Sequence, residues 1–246
     1  MSDPSQNTAG VLARPWQTTM ARLAPETFAR MMKFYEASTT EGRLSLKLRH
    51  LIWVAVDAVP THFYPSGIEL HARLALQHGA SVAEVMEALE VAGTVGESSF
   101  RVALPILMEE IAAAGLPGVD HGPALSAKAV RIKENYVERY GHWPHWMECA
   151  LRALPEFFTA MLALNHGGNG GLDDKSREIV LLAVSSCPAI LDVEAIRRHT
   201  RRCLALGLAA EDLLEAVQCA SGIGIHAYSI GVPEVDAALR AIREPR

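Results

Sequence analysis

The chain has 246 residues, half of them apolar and about a fifth charged, enough for one large core or two modest ones, which excludes disorder as a description of the whole. A formal net charge of -5 with no block of Lys or Arg excludes the electrostatic footprint of a nucleic-acid binder. Charge-free apolar stretches such as residues 179–191 and 219–232 fall short of the roughly 18 apolar residues of a membrane-spanning helix, so no membrane partner is expected.

In chain order, residues 1–10 are polar, without a basic or apolar signal region, so a cytoplasmic location is expected. The apolar run at residues 51–56 is too short for its period to decide between strand and helix, but its context predicts a helix. Pro65 opens a further helix that Gly79 closes. Ser81 and Glu84 form a capping-box pattern before Val82, Val85, Met86 and Leu89, which share one helical face. A Pro/Gly-rich break at residues 116–123 precedes a charged helix at residues 126–140. The run at residues 179–184 repeats the ambiguity of residues 51–56 and is also read as helix, since Arg177 and Glu178 lead into it as a helix would. Arg197, Arg198, Arg201 and Arg202 are expected on a solvated helix face. Cys149, Cys187, Cys203 and Cys219 are never closer than 16 positions and read as free, buried thiols.

These elements come in two copies. Shifted by 128 positions, the sequence matches itself without a gap over residues 47–105, with 15 identities in 59 positions where composition alone gives about 4. The matches include Arg49/Arg177, His71/His199, Gly79/Gly207 and Glu87/Glu215, and a shift of 130 extends them upstream through Trp16/Trp146 and Phe28/Phe158. The expected division is residues 1–117 for the first copy and 118–246 for a linker helix and the second, packed about a pseudo-twofold axis.

The phrase Lys47-Leu-Arg-His-Leu-Ile-Trp-Val-Ala-Val56, then His71-Ala-Arg-Leu-Ala-Leu-Gln-His-Gly79, then Ser81-Val-Ala-Glu-Val-Met-Glu-Ala-Leu89, resembles the carboxymuconolactone decarboxylase/alkylhydroperoxidase D family. It recurs as Lys175-Ser-Arg-Glu-Ile-Val-Leu-Leu-Ala-Val184, His199-Thr-Arg-Arg-Cys-Leu-Ala-Leu-Gly207 and Glu211-Asp-Leu-Leu-Glu-Ala216, and Tyr140-Gly-His-Trp-Pro144 is similar to the family's entry segment. The resemblance implies an all-α, alkylhydroperoxidase D-like fold of two pseudo-symmetric repeats, assembled as a homo-oligomer, with a trimer favoured. Its peroxidase branch uses a Cys-x-x-Cys pair ahead of the His. Those positions hold Tyr64 and Gly67 in the first copy and Asp192 and Ala195 in the second, so a thiol peroxidase, which needs a thiolate and a resolving thiol, is disfavoured. The family's Glu position holds His50 and Glu178, each 21 residues before its copy's His.

The decarboxylase branch works without a cofactor, and none is expected here. Losing a carboxyl group requires a held carboxylate, an acceptor for the negative charge and a proton for the carbanion. His71 is the first choice for the acid, with His62 as a rival and Tyr64 and His50 as donors to the enolate. Arg73 is the candidate carboxylate anchor, though an ion pair with Glu69 is the commoner use of that spacing. Gly67 is expected to leave room for a small-molecule substrate. His199 and Glu178 in the second copy, and His226 and Tyr228 beyond the Gly-rich residues 221–225, complete the candidate set. No metal-ligand spacing stands out among ten histidines, and no metal is expected. The function expected is a cofactor-independent lyase, a decarboxylase of a small carboxylated lactone or keto acid from aromatic catabolism. Hydration, isomerisation, lactone opening or a non-catalytic binding role remain the alternatives.

Overall fold

The computed structural model describes residues 14–39, 42–118, 124–166 and 170–243. The sequence readings at residues 1–10 and 119–123 lie outside this set. The described residues contain helices and no strand, so the fold is all-α. The first copy comprises α1 (Pro15–Leu23), α2 (Pro25–Thr39), α3 (Leu46–Asp57), α4 (Pro65–Gln77), α5 (Val82–Gly93), a 3-10 turn (Thr94–Gly96) and α6 (Glu97–Ala113). The linker helix is α7 (Ala127–Tyr140). The second copy repeats the order as α8 (His145–Ala153), α9 (Pro155–His166), α10 (Asp174–Ser186), α11 (Val193–Ala205), α12 (Ala210–Ser221), a 3-10 turn (Gly222–Ile225) and α13 (His226–Arg243). Both ambiguous apolar runs are helical, inside α3 and α10.

Local chemistry sets the helix ends. The Ser45 hydroxyl accepts from Leu48 N at 3.3 Å, and Asp173, its counterpart, accepts from Ser176 N at 2.8 Å. At α5 the capping box is complete: Glu84 N donates to Ser81 at 3.1 Å, and Ser81 N donates to Glu84 at 2.7 Å. Gly79 and Gly207 stop α4 and α11 in the left-handed region, at φ 86° and 79°, where a Cβ would be strained.

The helices form two compact units, one of α1, α2, the second 3-10 turn and α13, the other running from α3 to α12. The last helix of each copy joins the first helices of the other, so α13 lies along α1 and α6 along α8. In the smaller unit Asp236 of α13 accepts from Arg22 of α1 and from Arg240.

At the centre of the larger unit are α3 and α10. Leu51, Ile52, Val54, Ala55 and Val56, like Ile179, Val180 and Ala183, have no exposed surface, because a helix apolar on all sides is stable only when covered on all sides. Two reciprocal ion pairs lock the copies in register. Arg177 donates to Glu87 at 2.7 Å, and Glu87 also accepts from the Gly171 and Leu172 amides at 2.8 Å. By the same 128-residue shift, Arg49 donates to Glu215, which accepts from the Arg43 amide at 3.0 Å and the Leu44 amide at 2.6 Å. Thr61 donates to the carbonyl of Ala189, its own counterpart, at 3.5 Å. A contact between equivalent residues marks a pseudo-twofold axis.

Candidate active site

The loop that carries the candidate residues has one backbone design in both copies. Tyr64 N donates to Asp57 O at 2.9 Å, as Asp192 N does to Ser185 O at 3.0 Å. His62 N and Phe63 N both donate to Val59 O, and Ile190 N and Leu191 N repeat this on Cys187 O. Phe63 at φ 36° and Leu191 at φ 48° are the only non-Gly residues at positive φ among the described ones, and they are equivalent. Such conformations cost on the order of 1–3 kcal/mol each and persist only where surrounding bonds over-determine them. The strained tip holds the following residue, Tyr64 or Asp192, at the start of α4 or α11.

In the first copy α3 and α4 bring His50 and His71 together. Their Nδ1 atoms are 3.1 Å apart, so one ring donates and the other accepts. His50 stacks on His71 and on His78 at 5.3 and 5.6 Å between centroids, and Trp53 tilts over His71 at 4.9 Å. Burial, with the charges of His78 and Arg49, pushes the His50 imidazole down to about 4, so it is neutral at neutral pH. His71 is half-buried, as are His62 and Tyr64 in the loop, so the rim of this region is reachable from solvent. Burial also pushes His62 down.

The packing corrects one first-copy expectation and bears out the commoner reading of another. Gly67 does not open a space, because a Cβ on it would lie 2.0 Å from Asp57 Oδ2 and 2.4 Å from the Tyr64 ring. The glycine admits those two side chains. Arg73 and Glu69 form the ordinary i, i+4 ion pair on the surface, at 3.3 Å and with both side chains well exposed.

Asp57 was not anticipated as a functional residue. It ends an apolar helix and is 2% exposed, and burial pushes its carboxyl up to about 8. At neutral pH it is a neutral carboxylic acid, able to donate. One of its oxygens lies within 4.8 Å of a His62 ring nitrogen. The only sequence signal was its place, an acid closing the run Val54-Ala-Val-Asp57 directly before the loop.

In the second copy Glu178 and His199 meet at the same two positions, Oε2 to Nδ1 2.7 Å, with both side chains 2% exposed. Burial pushes His199 down, outweighing Glu178 beside it. Burial alone would raise Glu178, and the His199 and Tyr140 hydrogen bonds hold it below the usual range. Tyr140 donates to Glu178 Oε1 at 3.0 Å. Around this pair lies a network absent from the sequence reading. Glu97 of α6 accepts from Asn165 at 2.9 Å and pairs with His166 at 2.7 Å; burial would raise its carboxyl, but His166, Arg198 and Asn165 hold it at about 2. Asp192 caps α11 through Ala195 N at 2.9 Å and is held by Arg101 at 2.6 Å and Ser98 at 3.1 Å. The cavity among these groups, about 20 Å³, holds no more than a water. His226 and Tyr228 belong to the smaller unit, where His226 is the buried first residue of α13. Tyr228 lines a cavity of about 420 Å³ with Met31, Phe34 and Ile225.

All four cysteines are free and buried, as expected. Burial pushes Cys187 up and takes Cys203 and Cys219 to about 12, which suppresses the thiolate a peroxidase would use. A sequence profile, that of the carboxymuconolactone decarboxylase family, matches residues 25–109 and 155–244, one stretch in each copy. The chain belongs to this family. A similar solved structure, from Burkholderia xenovorans LB400, carries a provisional assignment as a gamma-carboxymuconolactone decarboxylase subunit. It is 29% identical, with a TM-score of 0.83, over 97% of this chain and 98% of that one. A comparison with curated proteins finds no match. The two copies of this family member differ at the bonded pair, which is Glu178 with His199 in the second and His50 with His71 in the first. No described helix is long and apolar enough to cross a membrane.

Proposed function

We propose that this family member is a cofactor-independent lyase that decarboxylates a small carboxylated lactone or keto acid, with the first copy as its reaction centre. The observation that carries the reading is Asp57, a neutral carboxylic acid at neutral pH beside His62 and Tyr64, on a loop whose strained tip fixes their position. The bond from carbon to the departing carboxylate breaks, carbon dioxide leaves, and the electron pair passes into the conjugated carbonyl as an enolate. Tyr64 donates a hydrogen bond to the enolate oxygen. Asp57 gives its proton to the carbanion carbon and regains one from solvent by way of His62. The His50–His71 pair backs this centre as a hydrogen-bonded unit. Asp57 therefore takes the acid role first considered for His71 and His62, because it holds a proton at neutral pH while burial keeps His62 neutral.

The test is carbon dioxide release from gamma-carboxymuconolactone, with Asp57→Asn and Tyr64→Phe as variants and circular dichroism to confirm folding. Asp57→Asn is expected to lose roughly 100-fold or more of the rate, and wild-type turnover to fall as pH rises past about 8. Undiminished turnover in folded Asp57→Asn refutes the assignment. A His71→Ala control separates the supporting pair from the acid. The packing of His50, Trp53 and His71 on one another, with Gly67 covered, favours a second reading, a non-catalytic binding member. Absence of turnover across a series of related lactones and keto acids would select it. We further propose a cytoplasmic trimer, for which light scattering showing a monomer would be decisive against.

A further inference from the structure

We infer that the second copy carries an anion-binding site, distinct from the reaction centre proposed for the first, that takes a compact small molecule bearing two or more negative charges. The site is a cavity of about 300 Å³ between the C-terminal end of α7 and the length of α11, lined by Arg139, Arg197, Arg198, Arg201 and Arg202 with Tyr140 and His142. That volume lies at the small end of ligand sites, which run from about 300 to 1,000 Å³. The single carboxylate in the lining, Glu194, is shared with Arg101 at 3.7 Å. Asp174 holds Arg139 at 3.2 Å and reaches Arg202 only at 4.0 Å.

The expectation of a solvated arginine face on α11 therefore holds for Arg197 and Arg201, which are exposed, and fails for Arg198 and Arg202, which are half-buried. Arg198 lies over the Tyr140 ring at 5.5 Å and donates to His199 Nε2 at 3.3 Å. Arg139 Nη1, Arg198 Nε and Arg202 Nε are buried with no hydrogen-bond partner among the described residues. Each such donor costs about 1–3 kcal/mol, more when charged, and all three belong to side chains that line one cavity. The ends of α7 and α11 offer partial negative charge of about half a unit each, so even with Asp174 and Glu194 the five guanidinium groups exceed the negative charge beside them. Like charges four apart on a helix also repel, as Arg197/Arg201 and Arg198/Arg202 do.

The first copy supplies an internal control. The positions equivalent to Arg197, Arg198, Arg201 and Arg202 hold Glu69, Leu70, Arg73 and Leu74, of no net charge. The arginine cluster is thus a property of one copy, whereas a requirement of the shared helical fold would appear in both. Guanidinium forks match both carboxylate and phosphate oxygens, so the ligand chemistry is shared by polycarboxylates and phosphates.

The experiment is isothermal titration calorimetry of the full chain at low salt with citrate, inorganic phosphate and acetate, repeated on the Arg197→Gln/Arg201→Gln double variant. Both substituted residues are exposed, so the variant should keep its circular dichroism and Tm. Citrate or phosphate is expected to bind at one site per chain with acetate inert, and the variant to weaken binding about tenfold or more. Binding by citrate alone identifies a polycarboxylate as the source, and binding by phosphate alone a phosphate. The inference is overturned if neither polyanion binds below about 10 mM or if the double variant binds as wild type does. The titration reads no turnover, so its outcome is independent of the decarboxylation assay.

Discussion

Asp57→Asn should make this protein more stable at alkaline pH while removing the proposed acid. The folded-state carboxyl is raised from 3.8 to about 8 by burial. A raised carboxyl binds its proton more tightly in the folded chain, so its contribution is fully present below pH 3.8 and is lost as pH rises through about 8. At about 1.36 kcal/mol per pKa unit, the whole window is worth on the order of 5 kcal/mol, a large part of the roughly 5–15 kcal/mol that holds a domain folded. Asparagine has the shape of the neutral acid and does not ionise. Near pH 4 the two proteins should therefore unfold at similar urea concentrations, and near pH 8.5 the variant should be more stable by several kcal/mol. The measurement is urea unfolding followed by circular dichroism at half-unit pH steps, with the slope m compared at each pH. A difference between the two proteins that does not change with pH would refute the buried-acid argument, as would an asparagine variant less stable than wild type at pH 8.5. Greater stability with less activity is what a residue kept at a cost for function should show.

Glu87→Gln leaves Arg177 as a buried charge without its counter-ion and should cost about 3–5 kcal/mol in urea unfolding, whereas Glu87→Gln with Arg177→Met should cost less than the sum of the single changes. Additive costs would show that the pair is not coupled. Gly67→Ala places a methyl group 2.0 Å from Asp57 Oδ2 and should destabilise by about 1–3 kcal/mol; it should also shift the alkaline limb of the pH profile, since Asp57 must move. A neutral Gly67→Ala would mean that the α3–α4 contact is looser than the packing indicates. Ser81→Ala removes the α5 cap and should cost about 1 kcal/mol in thermal unfolding, and a loss below a few tenths would assign the helix start to packing alone.

Much of this fold was legible because its signals are local or periodic. The capping box at Ser81, the stops at Gly79 and Gly207, the helix opened by Pro65 and the 128-residue repeat each rest on neighbours along the chain. The family resemblance marked His50 and Glu178 as equivalent positions, and the structure bonds each to its copy's His. Tertiary structure alone decided the environments. Asp57 reads as an ordinary helix-end acid until the packing of α3 and α4 removes its water and turns it into a proton donor. Gly67 reads as open space until Asp57 and Tyr64 fill it. Arg198 and Arg202 read as a solvated face until α7 covers them, and Glu97 finds His166 across a sequence separation of 69 that no local pattern encodes. The exchange of last helices between copies was likewise beyond the pattern, because a repeat fixes which residues are equivalent and not which copy's helix covers which face. Charge state, burial and pairing depend on which distant side chains displace water from a group, and that is a property of the assembled helices.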